Sequence, residues 1–290
     1  MAKGTDLKRR IRSISSMLQV TRAMEMIASI KMKKAQDRAL QSKHYVFESW
    51  QAILELSRLP ENRDNLYLSE QEKGKILVLV IASDRGLAGS YNSDILRKVL
   101  QFTKDNGLEN IDFIVMGEKA KNFIRKIGGN IIAEFPLGEQ VRFTFVSPVA
   151  LIAWEGYTKS EYKKFYSIHT HFDSAMRKNA TTLQILPLIE PESIGEASTK
   201  ESAEEIDFKF EPSKMEVLDT IIRQTVRALT YQIILESEAA EHASRMVAMK
   251  NASDAARDLK EDFEFTFNQV RQASITSELA EISAGAIAQE

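Results

Sequence analysis

The ten residues "SDRGLAGSYN", 83 to 92, stand between the apolar run "ILVLVIA" and the amphipathic "SDILRKVLQF". A glycine-bearing loop between a strand and a helix is the layout in which backbone N–H groups cradle phosphate. Here the side chains that complete such a site are missing. A Walker loop requires G-x-x-x-x-G-K-S/T, and Gly89 is followed by Ser-Tyr, with no lysine to reach a phosphate. The dinucleotide fingerprint G-x-G-x-x-G fails as well, since only Gly86 and Gly89 are present. Asp84, Arg85, Gly86 and Gly89 therefore read as a tight strand-to-helix turn, in preference to a nucleotide site. His169 and His171 share one face of the strand "SIHTHF" and have ligand spacing, yet no third ligand can be assigned, and sheet-surface histidines compete as the explanation. No G-x-S-x-G elbow and no H-E-x-x-H pair occurs, and the absence of Cys removes thiolate ligands and cysteine nucleophiles. The expected catalytic, cofactor-binding and metal residues are none.

The elements that would position these residues are set by where helix breakers fall. All six Pro lie between Pro60 and Pro212, and ten of the twelve Gly between Gly74 and Gly195, which leaves 5–59 and 213–284 free of both. The ends of the chain are thus expected to be long continuous helices and the middle a compact domain. In the middle, the apolar segments "KILVLVIA", "IDFIVMG", "NIIAEF", "FYSIHTHF" and "TLQILPL" alternate with helical stretches near 93–105, 117–127 and 147–163. That alternation predicts a mainly parallel α/β sheet. The polar, acidic stretch 191–212 reads as an exposed connection. The expected divisions are 1–59, an N-terminal helix; 60–211, a Rossmann-like α/β domain with its acidic linker; and 212–290, a C-terminal helix.

Roughly 50 residues of helix extend about 75 Å and roughly 73 about 110 Å, too long to be buried against a domain of about 130 residues. Such helices normally pair with each other. Leu7, Ile11, Ile14 and Leu18 step by four, three and four, and Leu218, Ile221, Thr225, Ala228, Gln232, Leu235, Ala239, His242, Met246 and Met249 continue the alternation at the back. Many of these positions are small or polar where a self-sufficient zipper carries Leu or Ile, which predicts that other subunits help to cover the pair. The fold class is α+β: a long antiparallel coiled coil of the terminal helices plus a Rossmann-like α/β domain.

The net formal charge of −2 conceals an asymmetry. Residues 1–43 carry eleven basic against three acidic side chains, and 212–290 eight against thirteen. Neutralisation between paired helices and ordinary solvated faces account for most of this. Lys31, Lys33, Lys34 and Arg38 are denser than solubility requires, and the stripe alone does not choose between nucleic-acid phosphates and an acidic protein loop. With 43% hydrophobic residues in strand-sized runs, no segment approaches the roughly 20 apolar residues of a membrane span. The start has basic residues but no apolar core segment after them, so no secretory signal is expected.

"TRAMEMIASIKMKKAQ" at 21–36, "SDRGLAGSYN" at 83–92, and "EHASRMVAMKNASDAA" with "RQASITSELAEISAGA" within 241–286 resemble the F-type ATP synthase gamma subunit. The resemblance spans essentially the whole chain. Ala88 stands where Cys is frequent in the family, and the cysteine-bearing insertion of the chloroplast versions is lacking, so the chain is similar to bacterial members.

The resemblance implies a rotor. In the family the two terminal helices stand inside a ring of three alpha and three beta subunits, and the α/β domain meets the membrane ring of c subunits and epsilon. Ion flow turns the c ring, the c ring turns gamma, and gamma forces each beta subunit through its binding, condensing and releasing states. Catalysis and nucleotides belong to alpha and beta. Met24, Lys31, Lys33, Arg271 and Gln272 are then the residues expected against beta, with Lys34 adding charge beside the acidic lever, and the sheet-domain turn carries contacts and no cofactor. The chain is expected at the cytoplasmic side of the cell membrane, held indirectly through the c ring. Two other readings are an enzyme that uses the α/β domain, opposed by the missing phosphate-loop residues, and a coiled-coil nucleic-acid binder, opposed by the acidic back helix.

Overall fold

The computed structural model describes residues 2–57, 65–138, 141, 143–188 and 211–287. The expected acidic connection lies almost entirely outside the described residues. The element order is α1 (Ala2–Ser57), β1 (Lys75–Ile81), α2 (Tyr91–Asn106), a 3-10 turn (Leu108–Asn110), β2 (Ile111–Met116), α3 (Glu118–Lys126), β3 (Asn130–Phe135), α4 (Phe143–Thr158), β4 (Tyr162–Phe172), β5 (Lys178–Leu186) and α5 (Lys214–Ile287). The two terminal helices run for 56 and 74 residues. Each passes through a glycine near its end, Gly4 and Gly285, because one Gly costs a helix only about 1 kcal/mol against Ala.

The chain forms two compact units, Met1–Ile30 with Arg245–Glu290, and Lys31–Ser244. Both long helices contribute to each. In the first unit Ile14, Thr21 and Ala28 of α1 are buried, as are Met249, Ser253 and Ala256 of α5. The Ser253 hydroxyl donates to Thr21 Oγ1 at 2.8 Å, and the Arg10 guanidinium lies 5.9 Å from the centre of the Phe263 ring. The partner number rises on α5 as it falls on α1, so the helices are antiparallel. Leu7, Ile11 and Leu18 flank this seam half-buried. From Ile275 to Ser283 every α5 side chain is exposed, since α1 has no residues left to pair with them.

The second unit repeats the antiparallel pairing. The Tyr45 hydroxyl donates to Gln224 Oε1 at 3.1 Å, and Arg38 meets Glu238. Here the seam is largely alanine: Ala35 and Ala39 on α1, Ala239 and Ala243 on α5, all buried. Of the predicted back-helix seam, Leu218, Thr225, Ala228, Gln232 and Leu235 are buried in this unit, while Ile221 and His242 are half-buried.

The five strands form one sheet in the order β3-β2-β1-β4-β5. β1 pairs in parallel with β2 and β4, β2 in parallel with β3, and β5 closes the edge antiparallel to β4. β1, "KILVLVI", is buried along its length after Lys75, as expected of a central parallel strand covered on both faces. One face carries Ile76, Val78 and Val80 against Ile95 and Val99 of α2 and Ile124 of α3. The other carries Leu77, Leu79 and Ile81 in a cluster with Trp50 and Ile53 of α1, Val149 and Tyr157 of α4, and Ile222 and Leu229 of α5.

Two boundaries differ from expectation. α4 begins four residues earlier, with Pro148 inside it rather than at its first turn, and it ends at Thr158. Ser160 then takes φ 58° and turns the chain, so β4 starts at Tyr162.

Candidate functional site

The strand order reverses between β1 and β4, and in open α/β sheets ligands bind outside the carboxyl ends of strands at such a reversal. The turn 83–92 occupies that position. Its polar groups are engaged with the protein itself. Ser83 N–H donates to Asn92 Oδ1 at 3.1 Å, and the Ser83 hydroxyl lies 2.5 Å from the Arg85 carbonyl and 2.9 Å from the same Oδ1. Asp84 Oδ1 accepts the N–H of Glu118, the first residue of α3, at 3.1 Å, which places a carboxylate at a helix N-terminus where the dipole favours it. Gly89 has φ 56° and Leu87 φ 62°, so two residues of the loop use the left-handed region. Arg85 and Gly86 are exposed, whereas Ala88 is buried in the cluster that takes in Tyr91 of α2 and Ala240 of α5. Ala88 and Ala240 of α5 thus belong to one buried cluster on this face of the sheet.

Beside it, Asp84, Val115, Gly117, Glu118, Lys121 and Glu134 line a cavity of about 340 Å³. Gly117 takes φ 91°, and a Cβ there would collide with the Ala82 carbonyl, so only Gly fits the close crossing of β1 and the β2–α3 turn. Glu134 in this cavity is neutralised by the protein itself: Lys121 Nζ lies 2.9 Å from Glu134 Oε2, and Arg125 also pairs with Glu134.

The two candidate ligand histidines are used differently from a metal pair. His169 is buried, with Nδ1 3.1 Å from the Ser167 hydroxyl, and burial pushes its pKa down to about 4. His171 has Nδ1 2.6 Å from Glu236 Oε2 of α5 and Nε2 3.1 Å from Asp173 Oδ1. The Glu236 hydrogen bond raises its pKa above the usual histidine value against some desolvation. Among the described residues no group of three or more His, Cys, Asp or Glu side chains is placed to hold a metal ion.

The residues expected to meet a partner all face outward. Met24 is 38% exposed. Lys31, Lys33 and Lys34 are exposed, and Lys33 pairs with Asp37 at 3.1 Å within the helix. Arg271 and Gln272 are exposed too. Arg38, grouped with the basic stretch by sequence, turns inward instead. Its Nη2 lies 3.1 Å from both Glu238 carboxylate oxygens and its Nη1 donates to the Val141 carbonyl at 3.2 Å, so one planar guanidinium spans a carboxylate and a backbone carbonyl.

Sequence reasoning missed the extent of the apolar surface. Met17, Val20, Met26, Ile27 and Ile30 of α1 are each more than half exposed, and with Met24 they form a strip beside the seam. In "MLQVTRAMEMIASI" apolar residues occupy two adjacent helical faces, and only the pairing decides which one is covered. An uncovered strip of this size marks a surface for another protein.

Paired helices with an outward apolar strip, joined to an α/β sheet whose switch-point turn is bonded to its own framework, define an assembly subunit. A family described as ATP synthase matches residues 3–288. The ATP synthase gamma chain of Stenotrophomonas maltophilia (strain R551-3) is 35% identical over 294 residues, covering 99% of this chain and 100% of that one. The ATP synthase gamma chain of Legionella pneumophila (strain Corby) is 34% identical over 292 residues at the same coverage. A chain from the central stalk and c-ring structure of the Tetrahymena thermophila mitochondrial ATP synthase aligns with TM-score 0.59 and 26% identity, over 81% of this chain and 99% of that one. A chain of the Euglena gracilis mitochondrial ATP synthase aligns with TM-score 0.66 at 16% identity, over 99% and 95% of the two chains, a likeness of fold. The chain belongs to the ATP synthase gamma-chain family.

Proposed function

We propose that this chain is the central-stalk rotor of an F1Fo ATP synthase and couples ion flow through the membrane ring to ATP synthesis or hydrolysis at the alpha/beta sites. The observation that carries the reading is the exposed apolar strip on α1 in a chain aligned end to end with gamma chains. Its partners are alpha and beta subunits, three of each, together with epsilon and the c-subunit ring. The chain itself has no catalytic residue and binds no cofactor in this reading. No helix among the described residues is long and apolar enough to cross a membrane, which fits a peripheral subunit held to the cytoplasmic side of the cell membrane through the c ring.

The mechanical logic follows from the helices. A shaft that transmits torque must resist kinking, and Pro and mid-helix Gly, the usual causes of kinks, are absent from the interiors of α1 and α5. Met24, Lys31 and Lys33 meet the acidic lever of beta. Arg271 and Gln272, beyond the last paired turns, catch on a beta loop. The functional divisions are the N-terminal helix 1–59, the α/β domain with its acidic linker 60–211 and the C-terminal helix 212–290.

The test uses the absence of cysteine. Gln101→Cys, on the exposed surface of α2, gives one attachment point for a bead on chain assembled with alpha and beta subunits and fixed to a surface. The expected result is unidirectional turning with ATP, in three equal steps per revolution. An assembled, ATP-hydrolysing complex whose bead stays still would overturn the rotor reading in favour of a static scaffold.

A further inference from the structure

We propose that His171 is a proton-operated clamp: as an imidazolium it bridges Glu236 of α5 and Asp173 of the β4–β5 turn, and on losing a proton it lets go of one of them. Nδ1 is 2.6 Å from one carboxylate and Nε2 is 3.1 Å from another. A neutral imidazole has one N–H and one lone pair, so between two carboxylates it leaves one oxygen facing a lone pair. Only the doubly protonated ring donates to both. The proton does not belong on Glu236: burial pushes that carboxyl up, but the hydrogen bond and charge of His171 and the Gln232 side chain, 2.8 Å from the other oxygen, hold it below the usual range.

The surroundings leave His171 as the group that switches. His169, two residues earlier on the same face of β4, stays neutral above about pH 4 because it is buried. On β5, Lys178 stands opposite Phe172 with its ammonium on the Ala175 carbonyl. On α5, Glu238 turns to Arg38. Among the described residues a second polar tie between this end of β4 and α5 is a long one, Thr170 N–H to Ser237 Oγ at 3.4 Å. Thr170 Oγ1 and Gln232 Oε1 are buried without a hydrogen-bond partner. The contact is therefore poorly supplied with polar bonds apart from the clamp, and loss of one proton removes a large share of its polar attachment.

The pH window follows from both partners. His171 has a raised pKa, so its contribution to stability is complete below the unfolded-state value near 6.5 and is lost as the pH rises through the folded-state value. Glu236 has a lowered one, so its contribution is present above the unfolded value of 4.5 and is lost as the pH falls through the depressed value. The clamp is closed between these limits and opens on the alkaline side.

The test uses the isolated full chain and is independent of the rotor reading. Histidine labelled with nitrogen-15 gives the protonation of each ring by NMR, with His171 assigned from the signal missing in His171→Gln. Two N–H groups at pH 6.5 and a midpoint above that value are expected, and Glu236→Gln should lower the midpoint. In urea, the unfolding equilibrium constant of the wild type relative to His171→Gln should rise between pH 6.5 and the midpoint, by at most about tenfold per pH unit. A wild-type midpoint at or below 6.5 overturns the proposal, and so does a wild-type to variant ratio that stays flat with pH. Should His171→Gln fail to fold, the signal is assigned instead by its displacement in Glu236→Gln, and the wild-type titration decides.

Discussion

Asp112 shows how one carboxylate can hold a sheet together. It stands at the second residue of β2 and receives Lys75 Nζ of β1 at 3.0 Å, Asn130 Nδ2 of β3 at 2.9 Å and the Tyr162 hydroxyl of β4 at 3.3 Å. Four neighbouring strands of the sheet are thereby tied at their amino ends. Nothing in "NIDFIVMG" announces this, because the three donors lie 18 to 50 residues away in sequence and converge only through the parallel register. Asp112→Ala should cost roughly 2–3 kcal/mol in urea unfolding, since it strands an amide, a hydroxyl and an ammonium that lose a charged acceptor. The same substitution should lower the pKa of Tyr162, held at about 12 by burial first and by the Asp112 charge second, while leaving it above 10. A tyrosine titration unchanged in the variant would mean that the hydroxyl does not point at Asp112.

At the scale of elements, the long helices were legible because Gly and Pro are absent over long stretches, and the sheet because apolar runs alternate with amphipathic ones. The seam between the helices was less legible. Its heptad spacing could be read from Leu7, Ile11 and Ile14, but small and polar seam residues suggested loose packing that partners would complete. In the unit that contains the sheet, Ala35 is wholly buried, with Ala39, Ala239 and Ala243 also buried. Packing at interior density around these buried alanines leaves no room for a larger side chain. Ala35→Leu should therefore destabilise the chain by about 1–3 kcal/mol. Leu40→Ala, on the 53% exposed neighbour, should change stability by less than about 0.5 kcal/mol. Stabilisation by Ala35→Leu would mean that the seam is slack around this position.

For the molecule as a whole, the question is which outward residues do work when partners are present. Sequence alone could not separate them from ordinary solvated positions, since exposure is decided by which helical face the pairing covers. Arg38 went inward and Val20, Ile27 and Ile30 outward, against a reading based on charge and hydropathy. Arg271 and Gln272 are exposed, and the side chains from Ile275 to Ser283 are exposed as well, with hydrogen bonds such as Thr276 to the Gln272 carbonyl and Ser277 to Glu281 made within α5 itself. Arg271→Ala combined with Gln272→Ala should leave urea unfolding of the isolated chain within about 0.5 kcal/mol of wild type, because no buried contact is lost. In the assembled complex the pair should lower ATP-driven ion pumping several-fold while ATP hydrolysis continues, since a catch that slips uncouples the two. Hydrolysis and pumping that fall together would place the residues in assembly instead. Pumping that matches wild type would remove them from the beta contact and leave Met24 and the apolar strip of α1 as the surface through which the chain works.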